Sequence, residues 1–214
     1  MKNNFILFIV LLLSFTGVAQ GNYNQFSIEA AYVVSSPYSK SVVNSGLSNG
    51  SFTSLGGFKL GGRYMFTTQW GVKGDFTYND YKGKNNFGTS FSRLDVQAVY
   101  SLSEILGLPT LTRESIGLLA HSGIGASYAT SRYNTNSNEY VGNFIIGLTP
   151  MFKISEKFAL STDISYVLNF KQHNHFDGVP FDPPTVHYET GKTLNLSFGF
   201  VYYLGKEKIH ADWY

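Results

Sequence analysis

Two histidine settings in this 214-residue chain are the places to look first for chemistry. His121 stands beside Ser122, a base next to a nucleophile. Consecutive residues of an extended strand point to opposite faces, so these two form no dyad with each other. His121 with Asp163 or Ser161 across an enclosed interior is the remaining pairing, expected as a hydrogen-bonded interior histidine. His173-x-His175 places two imidazoles on one side of an extended segment, a spacing suited to Zn or Cu. Asp177, Asp182, His187 and Glu189 lie in the same stretch. Pro180, Pro183 and Pro184 make that stretch an exposed loop, where such residues are ordinary surface groups. His173, His175, Asp177 and His187 are therefore kept as loop ligand candidates, with no metal, cofactor or catalytic residue assigned. There is no cysteine, which excludes thiol catalysis, disulfides and a lipidated N-terminal Cys. No phosphate loop or nucleotide motif is found, and a formal charge of +2 offers nothing to nucleic acid.

A third set is larger. Lys59, Arg63, Lys73, Arg93 and Lys153 nearly cancel Glu29, Asp75, Asp95 and Asp163. All nine hold odd positions in segments where large apolar residues recur at even positions. Charges of both signs enclosed together should pair, because an unpartnered buried charge is costly. Two uses are open: a network of Glu29, Lys59, Arg63, Lys73, Asp75, Arg93, Asp95 and Asp163 that holds an interior shut, or a gate in which Arg63 exchanges acidic partners. Within the first, Arg63 is expected beside Glu29 and Asp75.

The elements that carry these residues repeat one pattern. Large apolar residues recur at even positions in Asn24–Val34, Gly57–Phe66, Gln69–Asn79, Ser92–Leu102, Ile116–Thr130, Tyr140–Ile154, Lys157–Lys171 and Lys192–Leu204. A transmembrane strand needs about 9–11 residues with one face to lipid and one to a polar interior. A one-residue slip would drive the charges of any segment into lipid, so the pleat fixes register. Only 14% of residues are charged while 16% are aromatic, which suits a lipid-facing band with interfacial girdles. The expected fold is an all-β, eight-stranded antiparallel up-and-down transmembrane β-barrel, since closure leaves no edge in hydrocarbon.

The connections are expected to alternate. Thr67–Thr68, Ser103–Ser115 and Ser155–Glu156 are tight, and Ser35–Gly56, Asp80–Phe91, Ser131–Glu139 and Gln172–Gly191 are long. One helical turn is expected at Glu104–Leu108 before Pro109, and a bulge or local irregularity at Pro150, which lacks a ladder N–H. Ahead of the strands, Lys2, the apolar run Phe5–Phe15 and the small residues Gly17 and Ala19 read as an export signal. The domains are then a signal peptide over 1–19, a barrel over 20–204 and a periplasmic tail over 205–214.

Ser197, Gly199, Tyr202 and Leu204 form polar-x-Gly-x-x-apolar-x-apolar, which resembles the C-terminal insertion signal of bacterial outer-membrane barrels. Over its mature length the chain resembles the small eight-stranded barrels of the OmpA and OmpX kind found in bacteria of the Bacteroidetes type. The tail Lys206–Tyr214 is similar to the segment linking such barrels to an OmpA-like peptidoglycan-binding domain, which this sequence does not contain. The resemblance implies an outer-membrane location with both termini periplasmic. The partners it implies are outer-membrane lipid and lipopolysaccharide, the barrel assembly machinery, and peptidoglycan through that further domain. The scaffold hosts pores, adhesins, lipid enzymes and anchors alike. The expected function is a non-enzymatic one, in envelope integrity or surface contact. The alternatives are a narrow pore for ions or small solutes and, third, a lipid-modifying enzyme or protease.

Overall fold

The computed structural model describes residues 23–38, 45–46, 52–83, 87–133, 137–181 and 188–214. The expected signal peptide lies outside them, as does His187. Eight strands close into one antiparallel barrel in chain order. They are β1 (Phe26–Pro37), β2 (Ser54–Met65), β3 (Trp70–Lys82), β4 (Gly88–Ser101), β5 (Ile116–Ser131), β6 (Asn138–Lys153), β7 (Phe158–Gln172) and β8 (Glu189–Leu204). β1 pairs with β8 from Phe26↔Leu204 to Pro37↔Thr193, so no edge is left open.

Parity holds through the middle of every strand and inverts only beyond the two register shifts, where Ser54 and Gln172 are buried and Leu55 is exposed. Even residues such as Ile28, Leu60, Leu94, Ile124, Ile164 and Phe200 are exposed on the outside, and odd residues are buried inside. A continuous apolar exterior of this extent needs lipid. Trp70 meets Tyr100 at 4.6 Å and Phe158 meets Tyr202 at 4.9 Å, both where strands leave a short turn. The described residues contain no helix long and apolar enough to cross a membrane.

Strand ends at the short turns fall within a few residues of the sequence boundaries, but the other ends run further. Serines and other polar residues there break the alternation without ending the ladder, because a strand that has left hydrocarbon has no reason to keep an apolar face. Strands therefore reach 12 to 16 residues. The loops expected over Asp80–Phe91 and Ser131–Glu139 shrink to connections at 83–87 and 132–137.

One local expectation is corrected and another is met in its weaker form. The short helix α1 spans Leu108–Thr112, with Pro109 in its first turn. Proline starts this helix rather than ending one, because its missing N–H falls where no helical partner exists. Pro150 makes no bulge but does bring a local irregularity. The β6–β7 ladder skips it and resumes at Met151↔Ser161 in the register of Leu148↔Ile164. The register shifts lie instead between Val33 and Ser35 and between Asn169 and Gln172, beside Lys171 at φ 55°.

The tail is a larger departure. Its charged start reads as a solvated linker, yet His210, Ala211, Asp212 and Trp213 are buried. Gly205, at φ 127°, reverses the chain beneath the barrel, where a Cβ would run into the Asn24 side chain. Asn24 clamps the returning segment. Its N–H donates to the Ile209 carbonyl (2.8 Å), its amide donates to the Glu207 carbonyl (2.5 Å), and its carbonyl accepts from the Ala211 N–H (3.0 Å). A 3₁₀ turn, Ala211–Trp213, then enters the mouth of the barrel.

Candidate functional site: the filled lumen

At the short-turn end Trp213 and Ala211 pack among Met65, Val99, Leu119, Met151, Ala159, Val201 and Tyr203. Asp212, between them, carries a carboxylate upward. Its partner is Arg63, which is only 1% exposed. Arg63 Nη2 donates to Asp212 Oδ2 at 2.7 Å, and Nε lies 3.2 Å from Glu29 Oε1. Burial pushes the Asp212 carboxyl up, but Arg63 and then His210 outweigh it and hold it down at about 2.

Arg63 thus sits with Glu29 but not with Asp75. Register explains why. Lys73 is the direct cross-strand neighbour of Arg63, and Asp75 is opposite Gly61. Two like charges side by side diverge: Lys73 takes Asp75 at 3.4 Å, and Arg63 turns toward the tail.

Asp163 is the centre of the next layer. Its Oδ2 lies 3.6 Å from Lys59 Nζ, 3.7 Å from Lys73 Nζ and 2.8 Å from His121 Nε2. The same oxygen accepts from Thr149 at 2.9 Å, while Ser165 donates to Oδ1. His121 Nδ1 is 2.6 Å from Gln97 Oε1. Gln97, which the sequence did not single out, separates two facing carboxylates. Asp75 and Asp95 are direct cross-strand partners. The Gln97 amide donates to Asp95 at 2.5 Å and to Asp75 at 3.3 Å, and Arg93 Nε donates to Asp95 at 2.9 Å. His121 thus stands between Gln97 and Asp163, with Nδ1 paired to Gln97 and Nε2 close to Asp163 but outside hydrogen-bonding geometry, and Ser122, on the outer face, donates to the Ile145 carbonyl at 3.1 Å.

Lys153 stands apart from this network, beside Glu114 (3.7 Å) and over the Trp213 ring (5.5 Å) at the mouth. Gly147 opens the room that His121 needs. A Cβ there would sit 2.6 Å from His121 Cε1 and from the Ile164 carbonyl. Gly147→Ala should therefore destabilise the barrel by roughly 1–3 kcal/mol, seen as a lower melting temperature of the folded band on a gel.

Above the charges lies a neutral layer. Ser127 donates to Asn143 (2.7 Å) and Asn143 to Asn169 (2.7 Å). Ser35 donates to Asn195 (2.5 Å). Above that, Phe52, Tyr81, Phe91, Phe176 and Phe181 close the long-loop end. Phe176 comes from the loop that holds the ligand candidates, and those residues tie the loop down. Glu139 accepts from the His173 N–H (2.6 Å), lies 3.1 Å from His173 Nδ1 and accepts from the Asn174 amide (3.0 Å). His175 packs on Phe181 at 4.2 Å between ring centres. Asp177 accepts from Ser45 N–H (2.8 Å), Ser45 Oγ (2.7 Å) and Val179 N–H (3.0 Å). The two histidines thus have different surroundings, and among the described residues no three His, Asp or Glu side chains gather as metal ligands.

In the C-terminal motif Ser197 and Gly199 face the lumen, and Tyr202 and Leu204 face outward. Among the described residues the lumen keeps small voids of about 10 Å³, one beside Lys59 and Asp163 and one beside Arg63 and His121. Each has room for about one water. Trp213, Asp212, Gln97 and Phe176 were the residues hardest to foresee. Phe176 and the tail lie outside the alternating segments, and Gln97 carries no charge.

Solved structures share this architecture. Neisserial surface protein A superposes with TM-score 0.59, covering 84% of this chain and 97% of its own at 11% identity. The chain has the fold of the small outer-membrane barrels. A major outer membrane protein from Thermus thermophilus follows with TM-score 0.54, 10% identity, and 84% and 98% of the two chains. The attachment invasion locus protein Ail of Yersinia pestis gives 0.48 at 17% identity over 85% and 99%. No protein-family model and no curated protein matches the sequence. Fold and apolar exterior together point to the outer membrane.

Proposed function

We propose that this chain is a closed, non-enzymatic outer-membrane barrel that serves envelope integrity and presents its long-loop end for surface contact. The observation that carries this is a lumen filled along its whole length: Trp213 and Asp212 at one mouth, the Asp163 network in the middle, Phe176 at the other. A pore needs a continuous water path, and among the described residues the voids beside the Lys59–Asp163 and Arg63–His121 groups are each only about 10 Å³. An enzyme of lipid or peptide needs a base that substrate can reach, and His121 is enclosed between Gln97 and Asp163.

In this reading the short turns and both chain ends face the periplasm, from which an exported chain inserts. Lipopolysaccharide then surrounds the long-loop ends, where strands outrun the apolar band. The Ser197–Leu204 motif serves recognition by the barrel assembly machinery, and peptidoglycan contact would require the further domain of OmpA-like relatives. The Neisserial neighbour's name, a surface protein, agrees with a role at the cell exterior.

Planar-bilayer recording is the test. Purified protein should add no discrete conductance steps at neutral pH. Regular single-channel steps from the unaltered protein would overturn the closed-barrel reading in favour of the narrow pore.

A further inference from the structure

The connection at 102–115, between β4 and β5, turns apolar residues outward where a water-facing turn would hide them. Ile105 is 65% exposed, Leu106 50% and Leu111 76%. The lipid-facing residue Val96 of β4 is 58% exposed. The segment leaves the barrel from the outward column Val96, Ala98, Tyr100, Leu102 and rejoins it at Ile116 and Leu118, outward on β5. Its apolar surface is thus continuous with the band that faces acyl chains, and it lies beside the Trp70–Tyr100 pair of that band.

Part of its backbone is paired locally. The Leu106 N–H donates to the Leu102 carbonyl, Leu108 to Ser103, Leu111 to Gly107 and Glu114 to Pro109. Thr112 Oγ1 donates to the Leu108 carbonyl and accepts from the Ile116 N–H. Glu104 accepts from Gln69, in the turn before β3, at 2.6 Å, and Glu114 lies 3.7 Å from Lys153 at the end of β6. A short segment with a largely paired last turn, tethered acids and three outward aliphatics suits the boundary between headgroups and acyl chains.

We propose that residues 104–112 form a lipid-embedded foot, with Ile105, Leu106 and Leu111 seated among acyl chains of the leaflet at the short-turn end. The inference rests on the barrel being membrane-embedded. It adds that this connection is part of the membrane-contact surface and is not a free periplasmic loop. The foot would fix the depth and tilt of the barrel on the β4–β5 side, where the other short turns, 66–69 and 154–157, offer no comparable apolar group of three.

The absence of cysteine makes the test clean. Three single-cysteine variants, Leu111→Cys, Val96→Cys and Glu156→Cys, are labelled with an environment-sensitive fluorophore and reconstituted in phosphatidylcholine vesicles with brominated acyl chains. The label at position 111 should lose about half or more of its intensity to the bromines and resist aqueous iodide, as the label at position 96 does. The label at position 156 should behave in the opposite way. Iodide quenching at position 111 equal to that at position 156, with position 96 still lipid-quenched, would overturn the foot and leave the barrel reading intact. A label at position 111 shielded from both quenchers, with unlabelled Leu111→Cys cross-linking between copies, would also overturn it. Failure of the label at position 96 to respond to bromines would overturn the membrane reading itself.

Discussion

Arg63→Ala should produce the largest coupled loss in the molecule: a folded band that melts at markedly lower temperature, together with release of the C-terminal tail. The guanidinium holds Glu29 at 3.2 Å and Asp212 at 2.7 Å, and all three groups are buried. Its removal leaves two carboxylates without their cation, and stranding even one buried partner costs on the order of 3–5 kcal/mol. Arg63→Lys should recover only part of this, since a single ammonium cannot present the planar fork that addresses two acids. Trypsin should then cut Arg63→Ala at Lys206 or Lys208 while the barrel still runs as a compact unheated band, which separates tail release from failure to fold. An unchanged melting temperature and a resistant tail would remove Arg63 from the structural account. A cycle of Arg63→Ala with Asp212→Asn isolates the pair itself, because residues in contact are the ones that fail to add.

The same contact sets a pH limit. Asp212 is held at about 2 in the folded protein, below the ordinary aspartate value of about 3.9. A depressed folded value means that the contribution is fully present above about 3.9 and fades as pH falls toward about 2. The tail should therefore remain docked from neutral pH down to about 4 and loosen between there and about 2. With Trp70→Phe, Trp213 is the sole tryptophan. Its emission should shift to the red across that window, and in Asp212→Asn the shift should be absent or already complete at neutral pH. A transition centred above about pH 5 would assign tail docking to another group.

The barrel was legible because two solvents imposed one rule. Lipid outside and a shared interior inside force alternation, and alternation fixes register, so Glu29 could be placed near Arg63 without coordinates. What the rule does not encode is choice among neighbours on one face. Glu29 and Asp75 are both diagonal to Arg63, and only the position of Lys73 directly opposite decides between them. The caps were illegible for a different reason. His210–Trp213 and Phe176 have no period to read, and their burial depends on a mouth that exists only once eight strands have closed. The tail's Lys-Glu-Lys start resembles a solvated linker, and the sequence signal that it turns back is no more than Gly205 followed by a late tryptophan. The histidines of the last loop misdirect in the same way. Their spacing suits a metal, but Glu139, an interior residue of β6, takes the backbone and ring of His173 and draws the loop onto the barrel.

Asp163→Ala should be the second severe lesion, and its signature should differ from that of Arg63. One carboxylate serves Lys59, Lys73, His121, Thr149 and Ser165. Lys73 keeps Asp75 at 3.4 Å after the change, but Lys59 loses the carboxylate 3.6 Å away and is left buried at mid-lumen. The expected cost is again on the order of 3–5 kcal/mol. Asp163→Asn should cost less, since an amide oxygen can still accept from Thr149 and Ser165. Trp213 emission should not change in either variant, because the tail is held one layer away by Arg63, and neither should conduct, because both mouths stay capped. Replacing both partners, as Lys59→Met with Asp163→Leu, removes the stranded charge and should recover much of the loss, as apolar replacement of buried ion pairs does elsewhere. If Asp163→Ala melts with the parent, the mid-lumen charges are solvated rather than paired. If the double replacement is worse than Asp163→Ala alone, the space around Asp163 and not its charge is what the barrel requires.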